Sequence, residues 1–148
     1  MKKCFSLFLA LLMFVMAIPA GAASEEIYRE TEIIHTEDGD IEVETVLTIH
    51  DSPFRASSKT GSKRQTYTAD GTTIAVVTLT ATFRYDGSNV SVTDADSSYT
   101  LYDGWSYKSE NITTSGGTAK LSAKLTKTSY ANVAVNMSMT CTADGTIT

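Results

Sequence analysis

Aromatic side chains are the most suggestive chemical groups in this sequence, and four of them fall close together: Tyr99, Tyr102, Trp105 and Tyr107. Exposed Trp and Tyr rings combine an apolar face with a polar tip, so they can stack on the rings of sugars. Asp103 and Asn111 follow nearby and can hydrogen-bond to sugar hydroxyls. The candidate ligand-binding residues are therefore Trp105, Tyr102, Tyr107 and Asp103.

A structural role explains part of the same aromatic set. Tyr99, Trp105 and Tyr107 share one parity, so in a strand they point to one face. A single Trp near the middle of a β-sandwich is typically an anchor of the core. The sequence leaves both interpretations open, a buried anchor and a ligand platform.

Catalytic and metal-binding patterns are poorly represented. There is no Gly-x-Ser-x-Gly motif, and both histidines, His35 and His50, lie in an acidic N-terminal segment, away from the aromatic residues. These histidines and neighbouring acids could ligate zinc, but structural zinc sites favour four closely spaced ligands, often with thiolates. The sequence therefore predicts a protein that is not an enzyme and has no metal site and no cofactor.

The N-terminus has the pattern of a secretory signal peptide. Lys2 and Lys3 precede an apolar run from Cys4 to Ile18, and Ala20-Gly21-Ala22 fits a small-residue cleavage site. The run is shorter than the roughly 20 residues needed to cross a bilayer. We therefore predict cleavage after Ala22 and a secreted product that has no membrane association.

Charge is distributed unevenly along the predicted mature chain. Loss of Lys2 and Lys3 lowers the count of basic residues from 12 to 10 against 17 acidic ones, a net charge of −7. Ten acids lie in residues 25–51, where Arg29 is the only base. Because the mature chain has no overall excess of positive charge, nucleic-acid binding is disfavoured.

The longest clean alternation, Thr72 to Tyr85, predicts a central strand with one apolar face and one threonine-rich face. Two alternating segments before it, Glu26–Thr36 and Ile41–His50, flank an Asp-Gly pair and predict a hairpin. After it we predict a return strand at Asn89–Thr93 and a loop at Asp94–Ser98.

Two further alternating segments, Thr118–Lys127 and Asn132–Thr142, are expected to cover the apolar face of the central strand. Cys141 shares the parity of the apolar residues in the second segment, so it should be a buried thiol. About nine short strands separated by turns predict an all-β fold, an antiparallel immunoglobulin-like β-sandwich with Greek-key connections.

The predicted organisation has three parts. Residues 1–22 form the signal peptide, residues 23–62 an acidic hairpin and connector, and residues 63–148 the β-sandwich domain. The length of the chain fits one domain better than two.

Four segments are similar to those of a known group of proteins: KTGSK at 59–63, TLTATFRYDG at 78–87, the Gly104-Trp105 pair and TCTADGTI at 140–147. Over roughly Ser57 to Thr148 the chain resembles a group of small exported β-rich proteins of clostridia-type Gram-positive bacteria. The resemblance implies export and a β-rich fold, and it supplies no catalytic residue.

Together these features predict a secreted, non-catalytic protein that binds an extracellular protein or a glycan, or interacts with a cell surface. A carbohydrate-binding module using Trp105 and nearby tyrosines is the first alternative. A small secreted hydrolase is the second alternative.

Overall fold

The computed structural model describes residues 24–51 and 57–148, and these residues form eight strands in two antiparallel sheets. The predicted signal peptide, residues 1–22, lies outside them. The strands are β1 (Ser24–Thr36), β2 (Gly39–Asp51), β3 (Ser58–Ala69), β4 (Thr72–Tyr85), β5 (Val90–Leu101), β6 (Ser106–Ser115), β7 (Thr118–Thr126) and β8 (Val133–Thr140). The predicted all-β class is confirmed, and no helix occurs in the described residues.

The core lies between the apolar faces of the two sheets. On β4 the alternating residues Ala75, Val77, Leu79, Ala81 and Phe83 are almost completely buried. They form one cluster with the inward residues of β7 and β8 and with Cys141, which follows β8. The alternation in these three strands therefore gave the buried faces correctly, and Cys141 is a free, buried thiol as predicted.

The strand order is sequential within each sheet. The larger sheet has the order β1-β2-β3-β4-β5, and the smaller sheet has the order β6-β7-β8. The described strands thus form two meanders joined once, between β5 and β6. The expected Greek-key connections are absent from the described strands, and an immunoglobulin-like topology, in which the chain passes repeatedly between sheets, is not confirmed.

The predicted acidic hairpin is an integral part of the larger sheet. Strands β1 and β2 pair along their whole length around the Asp38-Gly39 turn, and β2 pairs with β3 from Ile41 to Asp51. Gly39 has a φ of 123°, a value that L side chains rarely adopt. The hairpin is therefore ordered by pairing with the body of the molecule.

Two local predictions were wrong. The expected loop Asp94–Ser98 lies inside β5, where these residues pair with Thr78–Thr82 of β4. Small side chains, Ala95 and Ser97, point inward, and the aspartates point to solvent, so this segment fits an edge strand despite its low strand propensity. The residues Ser58 to Gly61 fall within the predicted connector, but they begin β3 because they pair with β4, and from Lys59 onward also with β2.

The two sheets differ in width, and among the described residues the difference leaves β1 uncovered. The smaller sheet lies over β3, β4 and β5, with β6 beside β5 and β8 beside β3. Nearly all residues of β1 are exposed on both faces. A groove lies between this outermost strand and the C-terminal residues Ile147 and Thr148.

Candidate functional site

Trp105 belongs to the core. Its side chain is 7% exposed, and it is part of the cluster that joins the two sheets. Its ring contacts Tyr130, with ring centroids 5.8 Å apart. A buried indole cannot stack on a sugar, so the ligand platform loses the anchor that the sequence suggested.

Tyr102 and Asp103 lie at the surface, in the turn that connects the sheets. Tyr102 is 46% exposed, and Asp103 has a φ of 52°, in the left-handed region. The Asp103 carboxylate accepts a hydrogen bond from the Lys127 ammonium at 2.8 Å. This partner holds the pKa of Lys127 above its usual range.

Tyr130 completes an exposed aromatic end that the sequence did not indicate. Its ring is 49% exposed, and the Lys127 ammonium lies over the ring, 4.8 Å from its centroid. The backbone N–H of Ala131, the next residue, donates to the Asp38 carboxylate at 2.5 Å. We define the aromatic end as Tyr102, Asp103, Trp105, Lys127 and Tyr130. Tyr130 lies in a loop far along the chain, so only the fold brings it to Trp105.

Tyr107, the remaining predicted residue, belongs to a different cluster. Its ring stacks on Tyr99 with centroids 4.3 Å apart, between β5 and β6. Its hydroxyl oxygen is buried beside Glu110 and Ser97 without a hydrogen bond of normal geometry, and burial, followed by the Glu110 carboxylate, raises the pKa of Tyr107. Tyr107 therefore has no part in the aromatic end.

A groove of about 520 Å³ lies between β1 and the C-terminal segment. It is lined by Ile27, Tyr28, Glu30, Leu47, Lys63, Ile147 and Thr148. We call it the side groove. Ile27 and Tyr28 are 42% and 43% exposed, which is unusual for side chains of their size. The Tyr28 hydroxyl donates to Glu30.

The C-terminal residues Ile147 and Thr148 form the opposite wall of the side groove, and they pair with the end of β8. Thr140 donates its N–H to the Thr148 carbonyl at 2.9 Å and accepts from the Thr148 N–H at 2.8 Å. Antiparallel ladders alternate with period two, so Ala134, Asn136 and Ser138 present their N–H and C=O groups along the same edge. The Lys63 ammonium donates to the Ser138 carbonyl at 2.7 Å. The C-terminal segment thus pairs with the last residue of β8 and with the residue that follows it.

The threonine-rich face of the larger sheet is largely satisfied within itself. Hydroxyls pair across β3 and β4, Thr60 with Thr82 at 2.9 Å and Ser62 with Thr80 at 3.2 Å. These pairs reduce the number of hydroxyls that point to an outside ligand.

The two histidines do not form a metal site with nearby acids. His35 contacts Asp40 through Nδ1 at 2.7 Å on an exposed part of the hairpin. Within residues 24–51 and 57–148 no three His, Cys, Asp or Glu side chains are placed to hold a metal ion. The same residues include no helix long and apolar enough to cross a membrane.

Comparisons with known proteins give no match: no family model fits the chain, and no curated protein or solved structure is similar to it.

Proposed function

We propose that this chain is a secreted, non-catalytic binding protein whose partner is an extracellular protein. The side groove carries the proposal. It presents the exposed side chains of Ile27 and Tyr28 on β1, the outermost strand of the larger sheet, and monomeric proteins usually cover such features. The pattern of residues 1–22 and the resemblance to small exported proteins support the extracellular location.

The binding half of the proposal is tested with the mature chain from Ala23 immobilised on a sensor. We expect saturable binding of peptides selected from a displayed random library, without chemical change of the bound peptide. Recovery of cleaved or modified peptide would contradict a non-catalytic role. Failure to enrich any peptide over repeated selections would contradict peptide binding.

The secretion half is tested by expressing the full chain in a Gram-positive host and sequencing the protein recovered from the medium. We expect Ala23 at its N-terminus. Retention of all 148 residues in the cell pellet would contradict export.

Glycan binding at the aromatic end is a second candidate, favoured by one observation. Tyr102 and Tyr130 both present about half of their side-chain surface near the Asp103–Lys127 ion pair. Exposed tyrosines beside polar groups suit sugar rings.

A glycan array that includes peptidoglycan fragments and mucin glycans tests this candidate. Binding lost in both Tyr102→Ala and Tyr130→Ala, and retained in Tyr99→Ala, would support it. Tyr99 is the matched control because it is similarly exposed, at 52%, outside the aromatic end. An array without signal would remove the candidate.

A further inference from the structure

We infer that the chain links β2 to β3 covalently, through an ester between the hydroxyl oxygen of Thr45 and the side-chain carbonyl carbon of Gln65. The link forms within one chain and changes no other molecule, so it is independent of the proposed binding function. Thr45 and Gln65 are thus a site of self-modification in the core.

Three hydrogen-bonding side chains lie together inside a core that is otherwise apolar. Among the described residues, Thr45 and Gln65 are the polar side chains that are buried, and Tyr67 beside them is also buried. Buried polar groups lower stability unless they find hydrogen-bond partners, so such a group is uncommon in a core. The shared burial brings a nucleophilic hydroxyl and a carboxamide together in a place from which water is excluded.

The hydroxyl and the carboxamide face each other across two strands. Thr45 pairs directly with Gln65 in the register of β2 and β3. Residues directly opposite each other have Cβ atoms about 4.5–5.5 Å apart, a span that the bonds of an ester between them can bridge. In the unlinked chain Thr45 Oγ1 lies 3.4 Å from Gln65 Nε2, and the carbonyl carbon is bonded to that nitrogen. A small rotation of the Gln65 side chain therefore brings its carbonyl carbon to the hydroxyl oxygen.

Tyr67 is placed to stabilise the charge that develops during the attack. Its hydroxyl donates to Gln65 Oε1 at 2.7 Å, and this oxygen becomes negative when the Thr45 oxygen adds to the carbonyl carbon. Burial raises the pKa of Tyr67, so the hydroxyl keeps its proton at neutral pH. A donor that is fixed in advance on the developing oxyanion, away from water, is a large source of rate in acyl transfer.

A carboxylate lies on the other side of the nucleophile. Glu30 of β1 pairs directly with Thr45, so Glu30, Thr45 and Gln65 form one row across three neighbouring strands. Glu30 is exposed, and its carboxylate accepts from the Tyr28 hydroxyl. Because opposite Cβ atoms are only about 4.5–5.5 Å apart, rotation of the Glu30 side chain brings the carboxylate to the Thr45 hydroxyl. A general base must reach the proton that it takes in this way.

The reaction is an acyl transfer that needs no other reactant. The Thr45 oxygen bonds to the Gln65 carbonyl carbon, and its proton passes to Glu30. The bond from that carbon to Nε2 then breaks, and the nitrogen leaves as ammonia with the proton that Glu30 returns. An ester is less stable than an amide, but a well-oriented pair reacts with an effective concentration of about 10⁵ M or more, and the released ammonia is diluted. Burial protects the product from hydrolysis.

Mass spectrometry of the purified, folded chain tests the inference directly. We expect an intact mass that is lower, by one ammonia molecule, than the mass calculated from the measured N-terminus. Trypsin cuts after Arg55 and Arg64, so residues 30–55 and 65–84 should be recovered as one joined pair. Mild alkali hydrolyses esters faster than amides, so it should separate the pair and leave a carboxylic acid at position 65. An intact mass equal to the calculated one, or a loss of ammonia that maps to another residue, would overturn the inference.

Substitutions at Thr45 separate the chemistry from the packing. Thr45→Val has nearly the same shape without the nucleophile, so it should keep the calculated mass. Thr45→Ser keeps the hydroxyl, so it should lose ammonia as the wild type does. Joined peptides in Thr45→Val would overturn the assignment. Thermal melting checks that both variants fold, and the wild-type mass decides the inference even if one of them does not.

The rate of ammonia loss tests the role of Glu30. Chain recovered from inclusion bodies in urea has not folded, so it should be unlinked and react only after refolding. Glu30→Gln should slow the appearance of the joined peptides at least about 100-fold without changing the melting temperature. Glu25→Gln is the matched control, because Glu25 is an exposed glutamate of β1 that pairs with Ile49 instead. Equal rates in wild type and Glu30→Gln would overturn the role of Glu30.

Discussion

At the scale of single residues, the hydroxyls of the buried Tyr67 and the half-buried Tyr107 differ in their hydrogen bonding. The Tyr67 hydroxyl donates to the Gln65 side-chain carbonyl at 2.7 Å, and the Gln65 amide donates to Thr45 at 3.4 Å. The Tyr107 hydroxyl makes no hydrogen bond of normal geometry, although Glu110 and Ser97 lie beside it. A buried polar group without a hydrogen-bond partner lowers the stability of the folded state. A paired group contributes slightly to stability, and its removal leaves its former partner unsatisfied.

This contrast predicts opposite effects of one substitution. Tyr67→Phe should lower the free energy of unfolding by about 1–3 kcal/mol, because Gln65 then keeps a buried oxygen without a donor. Tyr107→Phe should leave it unchanged or raise it by up to about 1 kcal/mol. Urea unfolding followed by circular dichroism measures both. Equal losses in the two variants would show that the Tyr107 hydroxyl is bonded.

The same tyrosines predict alkaline destabilisation. Burial raises the pKa of Tyr67 and of Tyr107 above the ordinary value of 10.0, so the folded state prefers their neutral forms. Their contribution is complete below about pH 10, the pKa of an unfolded tyrosine, and is lost as pH rises through the folded values. We expect the melting temperature to fall above about pH 10. Tyr107→Phe should reduce that fall, and an identical pH profile in the variant would contradict the assignment.

At the scale of elements, the Gly116-Gly117 turn fixes the contact between β5 and the end of β8. Gly117 accepts from the Cys141 N–H at 2.8 Å, and Gly116 accepts from the Val92 N–H at 2.9 Å. A Cβ on Gly117 would collide with the Cys141 carbonyl oxygen and with Val90. Gly116 has open space but a φ of 52°.

Gly117→Ala should therefore lower the free energy of unfolding by about 1–3 kcal/mol, through overpacking against backbone. Gly116→Asn is the matched control, since asparagine tolerates left-handed φ and nothing obstructs it. Its cost should stay under about 1 kcal/mol in the same urea titration. A Gly117→Ala variant as stable as wild type would mean that β5 and β8 can separate at little cost.

The sequence predicted elements better than their arrangement. Alternation located β4, β7 and β8 because each has one buried face, and Asp-Gly pairs marked the turns at Gly39 and Gly71. It failed at Asp94–Ser98 because pairing with β4, and not local propensity, makes that segment a strand. The site was harder to predict: Tyr130 reaches Trp105, and Lys63 reaches Ser138, only across the fold.

At the scale of the whole molecule, one core joins the two sheets, and Trp105 reports on it. Because its indole is 7% exposed, acrylamide should quench its fluorescence weakly in the folded protein and strongly in urea. Fluorescence and far-ultraviolet circular dichroism should give coincident unfolding curves, as expected for one cooperative unit. Strong quenching of the folded protein, or two separate transitions, would contradict a common core.

The sequential strand order also affects how the chain folds. All five strands of the larger sheet, residues 24–101, precede all three strands of the smaller one. A nascent chain that has emerged up to Leu101 can therefore complete one entire sheet by local hairpin closures while its apolar face still lacks a cover. Such short-range pairing favours fast folding for a β protein. The exposed face makes the same intermediate prone to aggregation until β7 and β8 arrive.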